Sequence, residues 1–306
     1  MREITIVSGK GGTGKTSLTA AIASVAEKAV FCDNDVDAAD LHLILQPQIL
    51  EVYRFSSGWK AVIDEMECTN CGICMDHCRF DAIAYNSDGQ LVIDPYQCEG
   101  CRLCERICPE HAISSSQNNN NQWFVSHTRF GELVHAQMGP GEENSGKLVS
   151  QIRKKAMEIA KNTQAEYIIN DGPPGIGCAT ISSISGTDAV LLIIEPTISG
   201  FKDAQRLIDL IGIFNIATYA VINKYDLHLA LTTIIEDYLK SRKISLLAKI
   251  PFDIEMVTSM TQGKTIIEYN PTSPIAIQIR DVWNKIKTSQ ETTVDATWLT
   301  TDSDVK

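Results

Sequence analysis

Apolar positions along this chain come in two rhythms. Residues 2–8 alternate around Ile4, Ile6 and Val7 and read as a strand. A Gly-rich stretch follows, then a helical pattern from Lys15 to about Lys28. Val30-Phe31-Cys32 is a second, short buried strand, which makes Cys32 a core residue. From residue 167 the alternation resumes. Strands are expected at 167–169, 189–194, 219–222 and 244–250, and helices at 201–211, 229–239 and 274–286. Strands alternating with helices predict a doubly wound, mainly parallel α/β sheet covered on both faces.

Between about Gly58 and Thr128 this pattern stops. The text there is Cys-rich and acidic, with little helical periodicity, and its polar run 114–121 is expected to be an exposed loop. The segment therefore reads as an insertion. The expected organisation is 1–57 and 125–287 as two parts of one α/β domain, 58–124 as an inserted domain, and 288–306 as a polar tail.

Charge and composition narrow the function. A net charge of −11 argues against a nucleic-acid partner and against docking on anionic lipid. No basic, then apolar leader precedes residue 2, and no apolar run approaches the roughly 18 residues that span a bilayer. These features point to the cytoplasm, without membrane association. In that reducing compartment, ten cysteines with eight of them between Cys68 and Cys108 mean metal before disulfides.

The cysteine spacing is Cys68-x2-Cys71-x2-Cys74-x3-Cys78, repeated as Cys98-x2-Cys101-x2-Cys104-x3-Cys108-Pro109 with a period of 30 residues. Three closely spaced cysteines wrap three corners of an iron–sulfur cube, and in two-cluster ferredoxins the fourth ligand comes from the other repeat. One [4Fe–4S] cluster is thus expected on Cys68, Cys71, Cys74 and Cys108, the other on Cys98, Cys101, Cys104 and Cys78. A pair of zinc sites is the competing reading, although zinc prefers paired C-x2-C hooks across a longer loop. Arg79 stands where a bacterial ferredoxin usually has Pro, which removes no ligand. Eight acids against three arginines between Met66 and Ser115 allow two readings, solubility or steering of a basic redox partner.

Gly9-Lys10-Gly11-Gly12-Thr13-Gly14-Lys15-Thr16 follows the first strand and opens the first helix. In such a loop the backbone amides cradle phosphates, Lys15 reaches the β/γ oxygens, and Thr16 ligates Mg²⁺, with Ser17 beside it. A second G-x4-G-K run, Gly141 to Lys147, ends in Leu148, which cannot hold magnesium, and no strand precedes it. It reads as a loop and helix start with Ser145 as the cap.

The additional lysine, Lys10, makes the loop resemble the deviant Walker A of the MinD/ParA superfamily of P-loop ATPases, which includes the nitrogenase iron protein. The resemblance covers about residues 1–57 and 125–286. It implies a SIMIBI-type α/β fold, an ATP- and Mg²⁺-dependent hydrolase, and a homodimer or a heterodimer with a paralogue, in which Lys10 reaches the partner's nucleotide. Cys32-Asp33-Asn34-Asp35-Val36-Asp37 looks like the first switch, with Asp35 orienting the attacking water. Asn170-Asp171-Gly172-Pro173-Pro174-Gly175 looks like the second switch, with Asp171 near Mg²⁺. Asn223 in Ile222-Asn223-Lys224 would meet the adenine, and Pro251 and Asp253 belong to the loop that closes over it. Lys10, Lys15, Asp35 and Asp171 are the catalytic candidates, while Asp33, Asp37 and Asp40 read as caps or surface acids.

With the cysteine block, Thr128-Arg129-Phe130-Gly131 and Gly139 to Lys147, the chain resembles MinD-superfamily ATPases that carry an inserted ferredoxin-like α+β domain. That resemblance implies ATP coupled to electron transfer, or to iron–sulfur or metallocofactor assembly on a partner protein. The alternative is a MinD-like positioning or scaffold ATPase whose clusters are structural or sensory. Cys178, seven residues after Asp171, lies where the nitrogenase iron protein has a cluster ligand. Its two readings are an intersubunit metal ligand and a packed or idle thiol.

Overall fold

The computed structural model describes residues 1–56, 58–118, 121–138 and 145–289. The expected loop before Ser145 and all but the first two residues of the expected tail lie outside them. The chain opens with β1 (Arg2–Ser8), α1 (Lys15–Ala23), β2 (Ala29–Asp33), α2 (Leu41–Leu45) and β3 (Gln48–Phe55). The cysteine-rich part holds β4 (Trp59–Ile63), α3 (Ile73–Asp76), β5 (Ile83–Tyr85), β6 (Leu91–Ile93), α4 (Leu103–Ile107) and β7 (Ile113–Gln117). Next come β8 (Asn121–Thr128), β9 (Gly131–Gln137), α5 (Ser145–Asn162), β10 (Tyr167–Pro174), α6 (Cys178–Ile184), β11 (Ala189–Ile194), α7 (Ile198–Phe214) and β12 (Ala217–Asn223). The last elements are α8 (Leu229–Ser241), β13 (Ser245–Ile250), α9 (Ile254–Thr261), α10 (Ile266–Tyr269) and α11 (Pro274–Thr288).

The described residues divide into two compact units, one within Met1–Val52, Phe124–Ala136 and Gly146–Lys306, the other within Tyr53–Trp123 and Gln137–Ser145. The unit boundaries fall inside β3, β8, β9 and α5. The main sheet runs β13-β12-β11-β1-β10-β2-β9-β8-β3, and the pairings from β13 through β9 are parallel. Parallel strands need cover on both faces, and β11 shows it residue by residue. Ala189, Leu191 and Ile193 join a core with α1 and α11, whereas Val190, Leu192 and Ile194 join a second core with α7 and α8. The fold is a mainly parallel α/β sheet.

Two expectations change. The first helix stops at Ala23. Ser24 folds its hydroxyl back onto the Ala21 carbonyl, and Lys28 turns the chain at φ 51° to enter β2. The described residues of the polar run 114–121 do not form the expected loop. The first part, Ser114 to Gln117, pairs antiparallel with β4, and Asn118 and Asn121 are buried. Serines tolerate a strand when the partner strand supplies the ladder.

In the second unit β4 pairs with β7 and β5 with β6, both antiparallel. The strand before the first cysteine repeat thus pairs with the strand after the second, and the strand after the first with the strand before the second. The 30-residue period extends to the backbone. Asn70 and Gly100, Gly72 and Arg102, and Asp81 and His111 all take positive φ. Asp64 N–H donates to the Ala112 carbonyl at 2.7 Å, and Asp94 N–H to Ala82 at 2.8 Å. Each aspartate carboxylate then accepts from the amide two residues on, Met66 or Tyr96.

Candidate functional site

Crossover connections bring every loop that follows a parallel strand to the carboxyl edge of the sheet, where ligands of open α/β sheets bind. The Gly-rich loop leaves β1 there. Gly12 and Gly14 hold φ of 78° and 88°, and a Cβ on Gly14 would collide with the Asn223 amide. Gly9 is needed for a different reason. A Cβ there would lie 2.5 Å from the Ala204 nitrogen, so this glycine lets the loop pack on α7. The loop borders a cavity of about 690 Å³ lined by Gly11 through Leu18, Asp35, Asn223, Lys224, Pro251, Phe252, Asp253 and apolar residues of α2 and α9. Gly9 and Lys10 do not line it. Lys10 Nζ lies 3.4 Å from the Ser199 hydroxyl, at the surface.

The register of β10 between β1 and β2 sets Asp171 beside both Ile6 and Asp33. Lys15, almost fully buried, holds its ammonium 3.1 Å from Asp171 Oδ1 and 3.4 Å from Asp35 Oδ2. Burial works against the charge on Lys15, but Asp171, Asp35 and Asp33 outweigh it and keep its pKa above the ordinary range. Thr16 donates its hydroxyl to Asp171 Oδ2 at 2.7 Å, and Thr19 donates to Asp171 Oδ1 at 2.8 Å. Ser17 points at the Met260 sulfur. Burial, seconded by Asp171 and opposed by Lys15, pushes the Asp35 carboxyl up to about 6.

Asp33 is no surface acid. It is fully buried, accepts the Leu41 and Asp35 amides, and so caps α2 from within the core. Burial pushes its pKa well up. Asp37 and Asp40 are exposed. Asn223 spends its amide on the Thr13 carbonyl at 2.7 Å, and Asp253 caps α9 through Glu255 N–H. Lys224, Glu195 and Thr19 are the residues that sequence reasoning missed. Lys224 bridges the Gly12 carbonyl at 3.0 Å and Glu195 at 2.7 Å, which fixes the loop from β12. A lysine directly after the quoted asparagine was the available signal.

The eight clustered cysteines line two cavities. One has Cys68, Cys71, Cys74 and Cys108 in its wall, and the other Cys78, Cys98, Cys101 and Cys104, with Cys74 also touching the second. Among the described residues, no three His, Cys, Asp or Glu side chains gather closely enough to share a single ion. Cys32 is buried in β2, whereas Cys178 is exposed at the first turn of α6, so the packed reading of Cys178 does not hold. No described helix is long and apolar enough to cross a membrane.

Residues 4–266 match the CobQ/CobB/MinD/ParA nucleotide binding domain. The protein MJ0578 of Methanocaldococcus jannaschii is 31% identical over 296 residues, which cover 93% of this chain and 96% of that one. The septum site-determining protein MinD of Bacillus subtilis is 23% identical over 295 residues, 92% of this chain and 88% of that one. In fold, the chain resembles the septum site-determining protein MinD of Pyrococcus horikoshii in complex with Mg-ADP, with a TM-score of 0.58 at 20% identity over 94% of this chain and 96% of that one.

Proposed function

Because the chain belongs to the CobQ/CobB/MinD/ParA family of P-loop ATPases, we propose that it works as a MinD-like, nucleotide-switched dimer. In this reading the ATPase is the working part, and the cysteine unit is a structural or sensory attachment. The carrying observation is the convergence of Lys15, Thr16, Asp35 and Asp171 on one cavity beneath the Gly-rich loop. The septum site-determining relatives support this reading over one of electron delivery.

Lys15 is held by the Asp171 and Asp35 carboxylates. The phosphates of ATP replace them, and Lys15 then carries point charge onto the β/γ oxygens while loop amides hold the rest. Thr16 and Asp171 are a hydroxyl and a carboxylate already in contact, a donor pair suited to Mg²⁺ with retained waters. Bound there, the ion supplies charge neutralisation for phosphoryl transfer. Asp35 orients a water in line with the γ-phosphorus. The new P–O bond forms as the bond to the β–γ bridging oxygen breaks, the attacking water's proton passes to the released phosphate, and ADP leaves. Asp35 accepts a hydrogen bond from that water. Lys10, outside the cavity of its own chain, serves the partner's nucleotide. Asn223 braces the loop and the edge of the base, while Pro251 and Asp253 close over it. ATP hydrolysis should vanish in Lys15→Ala and persist in Lys147→Ala. Equal losses in both would refute the choice of loop.

A second reading concerns the cysteine unit: it holds two [4Fe–4S] clusters, through which ATP use would couple to electron transfer or to cofactor assembly on a partner. The favouring observation is that each cavity has in its wall three cysteines of one repeat and the last cysteine of the other. Four thiolates standing apart around a cavity suit a cube better than one ion. The crossed strand pairing brings the lead-in of each repeat to the tail of the other. Such clusters supply one-electron exchange when bound. Protein purified without oxygen should carry about eight irons per chain and a reducible paramagnetic signal. Stoichiometric zinc without such a signal would refute this reading and leave the ATPase reading standing.

A further inference from the structure

Beside the Gly-rich loop, the lining of the nucleotide cavity includes Leu43 and Ile44 from α2 and Met256, Val257 and Met260 from α9. Neither helix belongs to the sheet, and α2 is only five residues long. Beyond the core packing of Leu41 and Leu45 and the Asp33 cap, the width of this apolar slot depends on what ties the two helices together. Arg129 does so. It donates to the Ile44 carbonyl at 3.1 Å and the Leu45 carbonyl at 2.9 Å, at the end of α2. The same guanidinium donates to the Gly263 carbonyl at 3.1 Å, just past α9. Glu268 grips it from the other side through two bonds of 2.6 and 2.8 Å and is itself fixed in a capping box with Thr265. Gly263 leaves room for the Gln46 side chain in the same junction. A planar five-donor fork spans this set, whereas a lysine ammonium reaches only part of it.

We infer that Arg129 is a positioning residue that sets the width of the base slot, and with it the affinity of the site for a purine nucleotide, without touching the nucleotide. The inference rests on the nucleotide reading of this cavity. A flat purine packs against an apolar wall only when the wall is held at contact distance. Loosening it weakens ground-state and transition-state binding equally, which raises KM and leaves kcat in place.

The test is calorimetric titration of Mg-ADP and Mg-GDP into the full chain, with steady-state ATP hydrolysis alongside. It uses wild type, Arg129→Lys, Arg129→Gln, and Arg153→Gln as a control. Arg153 pairs with Glu3 and is absent from the cavity wall. Both Arg129 variants should lose about tenfold in affinity for ADP, lose affinity for GDP as well, whose base would meet the same wall, and keep kcat. Arg129→Lys keeps the measurement available if the glutamine variant does not fold. Arg153→Gln should melt earlier with its ADP and GDP affinities unchanged. Folded Arg129 variants with wild-type ADP affinity and KM would overturn the inference, as would a fall in kcat at unchanged KM. A wild type that binds neither nucleotide would instead overturn the nucleotide reading, and this inference with it.

Discussion

Asp35 offers a prediction in which stability and activity move in opposite directions. Its carboxyl is raised from 3.8 to about 6, chiefly by burial. A folded-state pKa above the unfolded one stabilises the fold fully below about pH 4, and that contribution is lost as pH rises through about 6. At about 1.36 kcal/mol for each tenfold in the proton equilibrium, keeping Asp35 ionised in the folded chain at pH 8 costs up to about 3 kcal/mol. Asn has the same shape and no charge to bury. Nucleotide-free Asp35→Asn should therefore be more stable than wild type at pH 8, by about 1–3 kcal/mol once the lost Lys15 pairing and local relaxation are allowed for. For a chain of this size that is a rise in Tm of roughly 2–4 °C per kcal/mol. The advantage should shrink below pH 6 and be gone near pH 4. Urea titrations of both proteins at pH 8, 6 and 4.5, without nucleotide, measure it. A variant no more stable than wild type at pH 8, or an advantage independent of pH, would refute the burial argument.

Two other outcomes follow from geometry. Gly9→Ala should lose about 1–3 kcal/mol in denaturant titration, because its Cβ meets the backbone of α7, which has little room to retreat; a neutral change would show that the loop does not need this packing. On the reading that the cysteine unit holds two clusters, replacing Cys108 by Ala should damage the one expected on Cys68, Cys71 and Cys74, and Cys78→Ala the one expected on Cys98, Cys101 and Cys104; paramagnetic resonance on each variant decides, and loss confined to the variant's own repeat would refute the crossed arrangement.

Much of the core could be read from the chain because buried parallel strands announce themselves: Ala189 to Ile194 is apolar at every position and is buried at every position. The Gly-rich loop was equally legible, since backbone approach to a phosphate demands glycine. What stayed hidden obeys other rules. β3 runs Gln48-Ile49-Leu50-Glu51-Val52 with all five residues exposed at the end of the sheet, so no burial pattern marks it. β7 is a serine run whose strand state is imposed by β4. Asp33 looked like one acid among several, and only the crossover that folds α2 back over it makes it a buried cap. Lys224 and Thr19 act by reaching from β12 and α1 to groups far along the chain, contacts that no local pattern carries.

The central claim is a dimeric switch in which Lys10 of one chain completes the site of the other. Lys10→Ala and Asp35→Asn should each bind ATP and hydrolyse it poorly. When the two variants are mixed and subunits exchange freely, about half the dimers contain one of each by two-fold statistics. In those, the site with an intact Asp35 receives its lysine from the Asp35→Asn chain and is complete, while the other site carries both defects. Hydrolysis should recover to about a quarter of the wild-type rate per chain if sites act independently. A mixture that stays inactive despite proven exchange would contradict the account.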